Sequence, residues 1–179
     1  MRAVVLRGTC DIAVEEVPDP DFEAAGDAIV AITSSALCGS DLHMIEGRIG
    51  PDTGLRLGHE PLGVVTRVGS GVSRVRPGQR VVAPTHIFCG TCDMCARGYS
   101  AACLRVNPDR AGAAYGYAGM GGYPGAHAEY LRVPFADANL VTLHAAALRR
   151  RRRPRGGGPK AIAIVTATAR CATVPPGSA

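Results

Sequence analysis

Four of the seven cysteines in this chain lie within one short segment, CGTCDMCARGYSAAC, residues 89–103. Their spacing is Cys-x2-Cys-x2-Cys-x7-Cys. A Cys-x2-Cys turn places two thiolates on one metal ion without strain, and two further cysteines complete a tetrahedral shell. Because protein atoms fill every position, none is left for a substrate, and the spacing predicts a structural zinc site. The predicted ligands are Cys89, Cys92, Cys95 and Cys103.

An iron–sulfur cluster or a set of buried free thiols would also account for cysteines at this spacing. The expected compartment bears on the choice. The chain has no apolar run of about 18 residues, which argues against a membrane span. Its first twenty residues turn acidic and lack the apolar core of a signal peptide. We therefore expect a cytoplasmic protein with no membrane partner, in which clustered cysteines favour metal binding over disulfides.

The first 140 residues indicate a mainly β structure with short helices. The chain has 23 glycines, few aromatic residues and no tryptophan, and its apolar runs are short. Ser40 is positioned to cap a short helix over residues 40–46. A turn at residues 69–71 is expected to join two β strands. The other predicted strands are residues 3–6 and 12–17, which would form a hairpin, and residues 27–34 and 127–133.

Charge divides the chain into two parts. Residues 1–140 contain all 15 acidic residues and 12 arginines, a formal charge of −3. Residues 141–179 contain seven arginines, one lysine and no acid, a formal charge of +8. We therefore predict a folded domain over 1–140 and an Arg/Gly/Pro-rich tail over 141–179, either disordered or translated out of frame. The tail also leaves open a zinc-containing nucleic-acid-binding module, although residues 1–140 add no basic stripe and disfavour that partner.

A second group of metal ligands is weaker when taken residue by residue. Cys38 lies in CGSDLH, residues 38–43, and His59 lies in GHEPLGVVTRVGSGV, residues 58–72. One thiolate and one imidazole would suit zinc, but a single cysteine is usually a small buried apolar residue. The order of the motifs is more specific than either motif. Residues 38–43, residues 58–72, PGQRV at 77–81 and the cysteine segment follow one another in this sequence.

That order resembles the N-terminal half of the zinc-dependent medium-chain alcohol dehydrogenases. The resemblance covers about residues 1–140, and residues 116–140 look most similar to the glutathione-independent formaldehyde dehydrogenase branch. It implies a GroES-like β-barrel domain with short helices and a zinc-binding lobe. It also implies an oxidoreductase that acts on a small alcohol or aldehyde with NAD or NADP as hydride acceptor.

The resemblance assigns roles to individual residues. Cys38 and His59 match ligands of a catalytic zinc, and Glu60 matches a carboxylate that can approach the metal. Ser40 matches the hydroxyl that bonds the alcohol, and His43 matches a proton-relay histidine. The four clustered cysteines match the structural zinc site. His86, His127 and His144 match no catalytic role and are expected to be structural.

The sequence departs from the family after residue 140. No match to a third catalytic ligand is found, and no G-x-G-x-x-G follows a strand as a Rossmann unit requires. About 40 remaining residues are too few for a nucleotide domain. We therefore expect a catalytic-domain fragment without a Rossmann domain, inactive alone and prone to self-association or homo-oligomer formation. A non-catalytic GroES-like remnant is the remaining alternative.

Overall fold

The computed structural model describes residues 1–50 and 53–143. The proposed boundary at residue 140 and residues 141–143 lie within the described part, whereas the rest of the basic tail, which includes His144, lies outside it. Within them the architecture is mainly β with three short helices, as the sequence predicts. The described residues form no strand–glycine loop–helix unit of the Rossmann type. No helix among them has the length and apolarity needed to cross a membrane.

The amino-terminal strand lies at the centre of a three-stranded sheet. Strand β1 (Arg2–Gly8) pairs antiparallel with β2 (Asp11–Glu16), which confirms the predicted hairpin. Strand β4 (Leu55–Arg56) pairs with the other edge of β1, so that the order is β2-β1-β4. Strand β1 is buried along its centre because its apolar run packs against helix α1 (Gly39–Ile45) and the segment after β4.

A five-stranded antiparallel sheet carries the larger core. Strand β3 (Ala28–Ser35) matches the predicted strand over 27–34 and lies between two neighbours in this sheet. The sheet order is β10-β6-β5-β3-β9, where the other strands are β5 (Pro61–Val68), β6 (Arg80–Val82), β9 (Tyr130–Val133) and β10 (Val141–Thr142).

Two predicted features of this sheet differ in extent from the structure. The turn predicted at residues 69–71 is present, since the Val72 N–H donates to the Gly69 carbonyl at 3.1 Å, and it joins two paired strands. It is only the start of a longer loop to β6, in which Gly69 and Gly71 donate backbone hydrogen bonds to Asp27 and Ala25. The strand expected over residues 127–133 begins at Tyr130. Residues 126–129 are not part of this strand. They bond to residues 2, 4, 32, 57 and 58 and so bridge the two larger sheets.

The three helices of the described residues are short, and two of them lie at ligand-bearing segments. Helix α1 begins directly after Cys38, so the prediction that Ser40 caps it was wrong. The N-cap residue is Cys38, and Asp41 at the third helical position stabilises it, since its Oδ2 accepts the Cys38 backbone N–H at 2.9 Å. The remaining elements are α2 (Asp93–Ala96), a 3-10 turn at Ser100–Ala102, α3 (Ala136–Asn139) and the paired strands β7 (His86–Ile87) and β8 (Ala113–Ala114).

Candidate metal centres

The four clustered cysteines converge in a lobe built from helix α2 and the 3-10 turn. The Sγ atom of Cys95 lies 3.5 Å from that of Cys92 and 4.0 Å from that of Cys89. Cys92 and Cys103 Sγ are 3.8 Å apart. A tetrahedron with zinc–sulfur bonds of about 2.3 Å separates its sulfurs by about 3.8 Å. The four thiols therefore fit one zinc ion in both number and spacing.

Hydrogen bonds to sulfur prepare this cluster for a cation. The backbone N–H groups of Thr91 and Cys92 point at Cys89 Sγ at 3.4 and 3.3 Å, and the Cys89 N–H points at Cys103 Sγ at 3.3 Å. Backbone N–H bonds from Leu104 and Cys95 lower the pKa of Cys92 to about 6. Burial and neighbouring thiols raise the pKa of Cys95 to about 12. Burial raises the pKa of Cys89, but hydrogen bonds from Thr91 and Cys92 outweigh it, and the pKa is lowered overall. A bound cation would supply the charge needed to deprotonate Cys95.

Asn139 attaches this lobe to the five-stranded sheet. Its side chain is fully buried at the end of α3. Its Oδ1 accepts the Phe88 N–H at 3.2 Å, and its Nδ2 donates to the Phe88 carbonyl at 2.7 Å and to the Pro134 carbonyl at 3.0 Å. Because Phe88 directly precedes Cys89, these bonds fix where the cysteine lobe begins.

The second group, Cys38, His59 and Glu60, is assembled by strand pairing. Strand β3 ends at Ser35 and β5 begins at Pro61, and these two residues are register partners. Cys38 follows one strand end and His59 precedes the other, so the sheet brings together residues that are distant in the chain. One ligand atom from each of the three residues lies within 4.8 Å of the others. Thiolate, imidazole and carboxylate are the donor types that zinc binds in proteins.

Ser40 and His43 lie on helix α1 beside this group. Ser40 Oγ is 3.0 Å from His59 Nε2, so the hydroxyl lies at the edge of the ligand cluster. His43 follows one helical turn later and is exposed. Residues three apart share one face of a helix. Ser40 thus lies at the ligand group, and His43 lies one turn further along the helix, where it is exposed to solvent.

Sequence reasoning missed the carboxylate behind the imidazole. Asp41 is 0% exposed, and its Oδ1 lies 3.5 Å from His59 Nδ1. Burial raises the pKa of the Asp41 carboxyl, but the contact with His127, the Cys38 N–H and the attraction of both imidazoles outweigh it, and the pKa is lowered overall. A carboxylate behind a metal-binding imidazole holds the ring in one tautomer and orientation. The sequence signal for this carboxylate was the acidic residue in CGSDLH, because Asp41 follows Cys38 by three residues.

His59 has a second neighbour that the sequence did not indicate. The ring of Tyr117 meets the His59 ring edge-on, with centroids 5.9 Å apart. Tyr117 is half-buried against a small core that includes Leu6, Met44 and Leu57. The tyrosine therefore forms an apolar wall on one side of the imidazole.

Comparison with known proteins places this geometry in a family context. Residues 24–145 match the alcohol dehydrogenase GroES-like domain. A zinc-type alcohol dehydrogenase-like protein of Bacillus subtilis is 46% identical over 140 residues. A glutathione-independent formaldehyde dehydrogenase of Pseudomonas aeruginosa is 41% identical over 148 residues. The matches cover 76% and 79% of this chain, and the chain spans 37% of the length of each relative.

Solved structures of alcohol dehydrogenases share the fold of this chain. An alcohol dehydrogenase from Thermus sp. ATN1 superimposes with a TM-score of 0.73 at 44% sequence identity. The match covers 80% of this chain and 40% of that one. The predicted GroES-like fold is therefore confirmed, and so is the resemblance on which it was based.

Proposed function

This chain belongs to the alcohol dehydrogenase family with a GroES-like domain, and from that membership we propose that it forms the zinc-binding catalytic part of an alcohol or aldehyde oxidoreductase. The observation that supports this most strongly is the Cys38–His59–Glu60 group, which has mixed donors and an adjacent hydroxyl. In contrast, the four-cysteine lobe offers only sulfur and would hold a structural ion.

Cys38, His59 and Glu60 would hold the catalytic zinc. When bound, a zinc ion would supply Lewis-acid chemistry there, which makes an alcohol proton easier to remove near neutral pH. Cys38 contributes a thiolate from the start of α1, and His59 contributes an imidazole whose far side faces Asp41. Glu60 is exposed, so its carboxylate has room to approach or leave the group.

Ser40 and His43 would move the alcohol proton. The Ser40 hydroxyl lies at the ligand group and would accept the proton from the substrate oxygen while donating its own. His43 is exposed on the same helix and would pass the proton to water, since an imidazole exchanges protons near neutral pH. The proton would thus leave through side chains of α1.

The hydride acceptor would be NAD or NADP. The described residues contain no nucleotide-binding unit, so hydride transfer would depend on a nucleotide site outside them. Small alcohols or aldehydes are the proposed substrates, in line with the names of the relatives.

A substrate-binding experiment tests this proposal without requiring turnover. Protein that retains zinc in the cysteine lobe is loaded with Co²⁺, and its visible absorption is recorded while ethanol or formaldehyde is added. We expect a spectral change in the wild type and in Ser40→Thr, and none in Cys38→Ser. A wild-type cobalt spectrum that is insensitive to both ligands would refute an open catalytic metal site.

A further inference from the structure

We propose that His127 is a positioning residue for the metal ligand His59 and acts through the carboxylate of Asp41. The inference rests on the proposed role of His59 as a ligand. The sequence assigned His127 a structural role only. The structure places its ring nitrogen 3.7 Å from the same buried carboxylate that faces His59.

The three side chains form a continuous polar row inside the domain. Asp41 lies in the middle, with His59 Nδ1 3.5 Å from Oδ1 and His127 Nε2 3.7 Å from Oδ2. All three residues are buried, with exposures of 0%, 2% and 8% for Asp41, His59 and His127. Asp41 Oδ1, His59 Nδ1 and His127 Nε2 have no hydrogen-bond partner among the described residues, and these contacts are their nearest polar approaches of opposite kind. Because buried polar atoms are costly when unpaired, these contacts are the available means of satisfying them.

The backbone holds His127 in this position from two sides. Its N–H donates to the Leu57 carbonyl at 2.9 Å, and its carbonyl accepts the Val4 N–H at 2.8 Å. The preceding residue, Ala126, donates to the Gly58 carbonyl at 2.8 Å. The segment that carries His127 is therefore bonded directly to the residues that precede His59.

A donor at His127 would fix the rotation of the Asp41 carboxylate. Oδ2 already accepts the Cys38 N–H at 2.9 Å. A second donor on Oδ2 holds that oxygen between Cys38 and His127, which leaves Oδ1 directed at His59. Without the His127 donor, the Asp41 carboxylate rotates more freely, and the His59 ring is held less firmly in one orientation. Outer partners of this kind commonly change metal affinity by about 10–100-fold.

The test compares the full-length wild type with His127→Leu and His127→Gln, which differ in whether residue 127 can donate a hydrogen bond. Protein with zinc in the cysteine lobe is titrated with Co²⁺, and the thiolate-to-cobalt absorption of the second site is assigned by its loss in Cys38→Ser. We expect His127→Leu to weaken cobalt binding about tenfold. His127→Gln keeps an N–H donor and should bind within about threefold of the wild type. In an Asp41→Asn background, the same His127→Leu change should have little further effect.

A second measurement needs no variant. In a long-range ¹H–¹⁵N spectrum of the wild type, His127 Nε2 must carry a proton, since an unprotonated nitrogen cannot donate to Asp41. An Nδ1-protonated neutral ring at His127 would overturn the inference even if His127→Leu failed to fold. Equal cobalt affinity in the wild type and in His127→Leu would also overturn it, as would equal losses in the Leu and Gln variants. Failure of the wild type to bind cobalt would remove the proposed site itself, and the inference with it.

Discussion

The ring of His127 fills the space that a side chain on Gly58 would need. A β-carbon built on Gly58 would lie 2.6 Å from the His127 backbone nitrogen and 2.7 Å from ring atoms Cγ and Nδ1. Gly58 also has a φ of +100°, a conformation that other residues rarely adopt. The glycine before His59 is thus required by the packing of His127 and by its own backbone.

Replacing Gly58 with alanine should disturb the second metal site as well as the fold. Backbone strain alone costs about 1–3 kcal/mol, and the close contact with His127 adds to it. We expect Gly58→Ala to lower the free energy of unfolding by at least about 2 kcal/mol and to weaken cobalt binding at Cys38. Denaturant unfolding and cobalt titration measure the two effects.

Gly78→Ala is the matched control. Gly78 has a φ of +87°, but no atom lies within 4 Å of the position of an added β-carbon. This variant should show the strain cost without a loss of cobalt affinity. Equal cobalt binding in Gly58→Ala and Gly78→Ala would contradict the role given to the His127 contact.

Asp41→Asn should weaken metal binding at the second site. The amide cannot accept hydrogen bonds through both of its terminal atoms, so either His59 or the Cys38–His127 pair loses its acceptor. We expect affinity for Co²⁺ to fall about 10–100-fold, with no change at the four-cysteine lobe. Chelator competition resolves the two sites. Asp93→Asn, an acid in the first turn of α2, is the control and should leave the second site unchanged.

Zinc binding by the cysteine lobe should depend on pH. The pKa of Cys92 is lowered to about 6 and that of Cys95 is raised to about 12, so at neutral pH zinc must displace protons from the cluster. We expect proton release on zinc uptake and an affinity that falls as pH decreases, most steeply below about 6. Calorimetry in buffers of different ionisation enthalpy counts the protons. Uptake without proton release would show that the thiols are already ionised.

Asn139→Ala should loosen the attachment of that lobe. The substitution removes the partner of the half-buried Phe88 N–H and carbonyl and of the buried Pro134 carbonyl. An unsatisfied buried polar group costs about 1–3 kcal/mol. We expect a loss of at least about 2 kcal/mol by denaturant unfolding of the zinc-loaded protein. Thr33→Ala removes one exposed hydroxyl and should change stability by less than about 0.5 kcal/mol.

The sequence was most informative where ligands are close together in the chain. The four cysteines follow a local spacing rule, so the cluster could be predicted without a fold. Cys38 and His59 are far apart, and only the resemblance to a family joined them before the structure did. The relevant contact is the register of Ser35 with Pro61, which no local pattern reveals.

Residues that act through long-range packing were not predictable in the same way. His127 reaches Asp41 because residues 126–129 bridge the two larger sheets, including the pairing of Ala3 with Ala128. Ser40 was assigned as a helix cap from its residue type. The cap is Cys38 because the carboxylate of Asp41 bonds its backbone, a choice that depends on the buried environment of Asp41.

Zinc content measured by native mass spectrometry tests the central claim most directly. After incubation with zinc and removal of free metal, we predict two zinc ions per wild-type chain. Cys38→Ser and Cys103→Ser should each retain one, and a mild chelator should remove the ion of the Cys38 site first. A wild-type chain that carries no zinc, or a Cys38→Ser variant that still carries two ions, would contradict the presence of two separate metal centres.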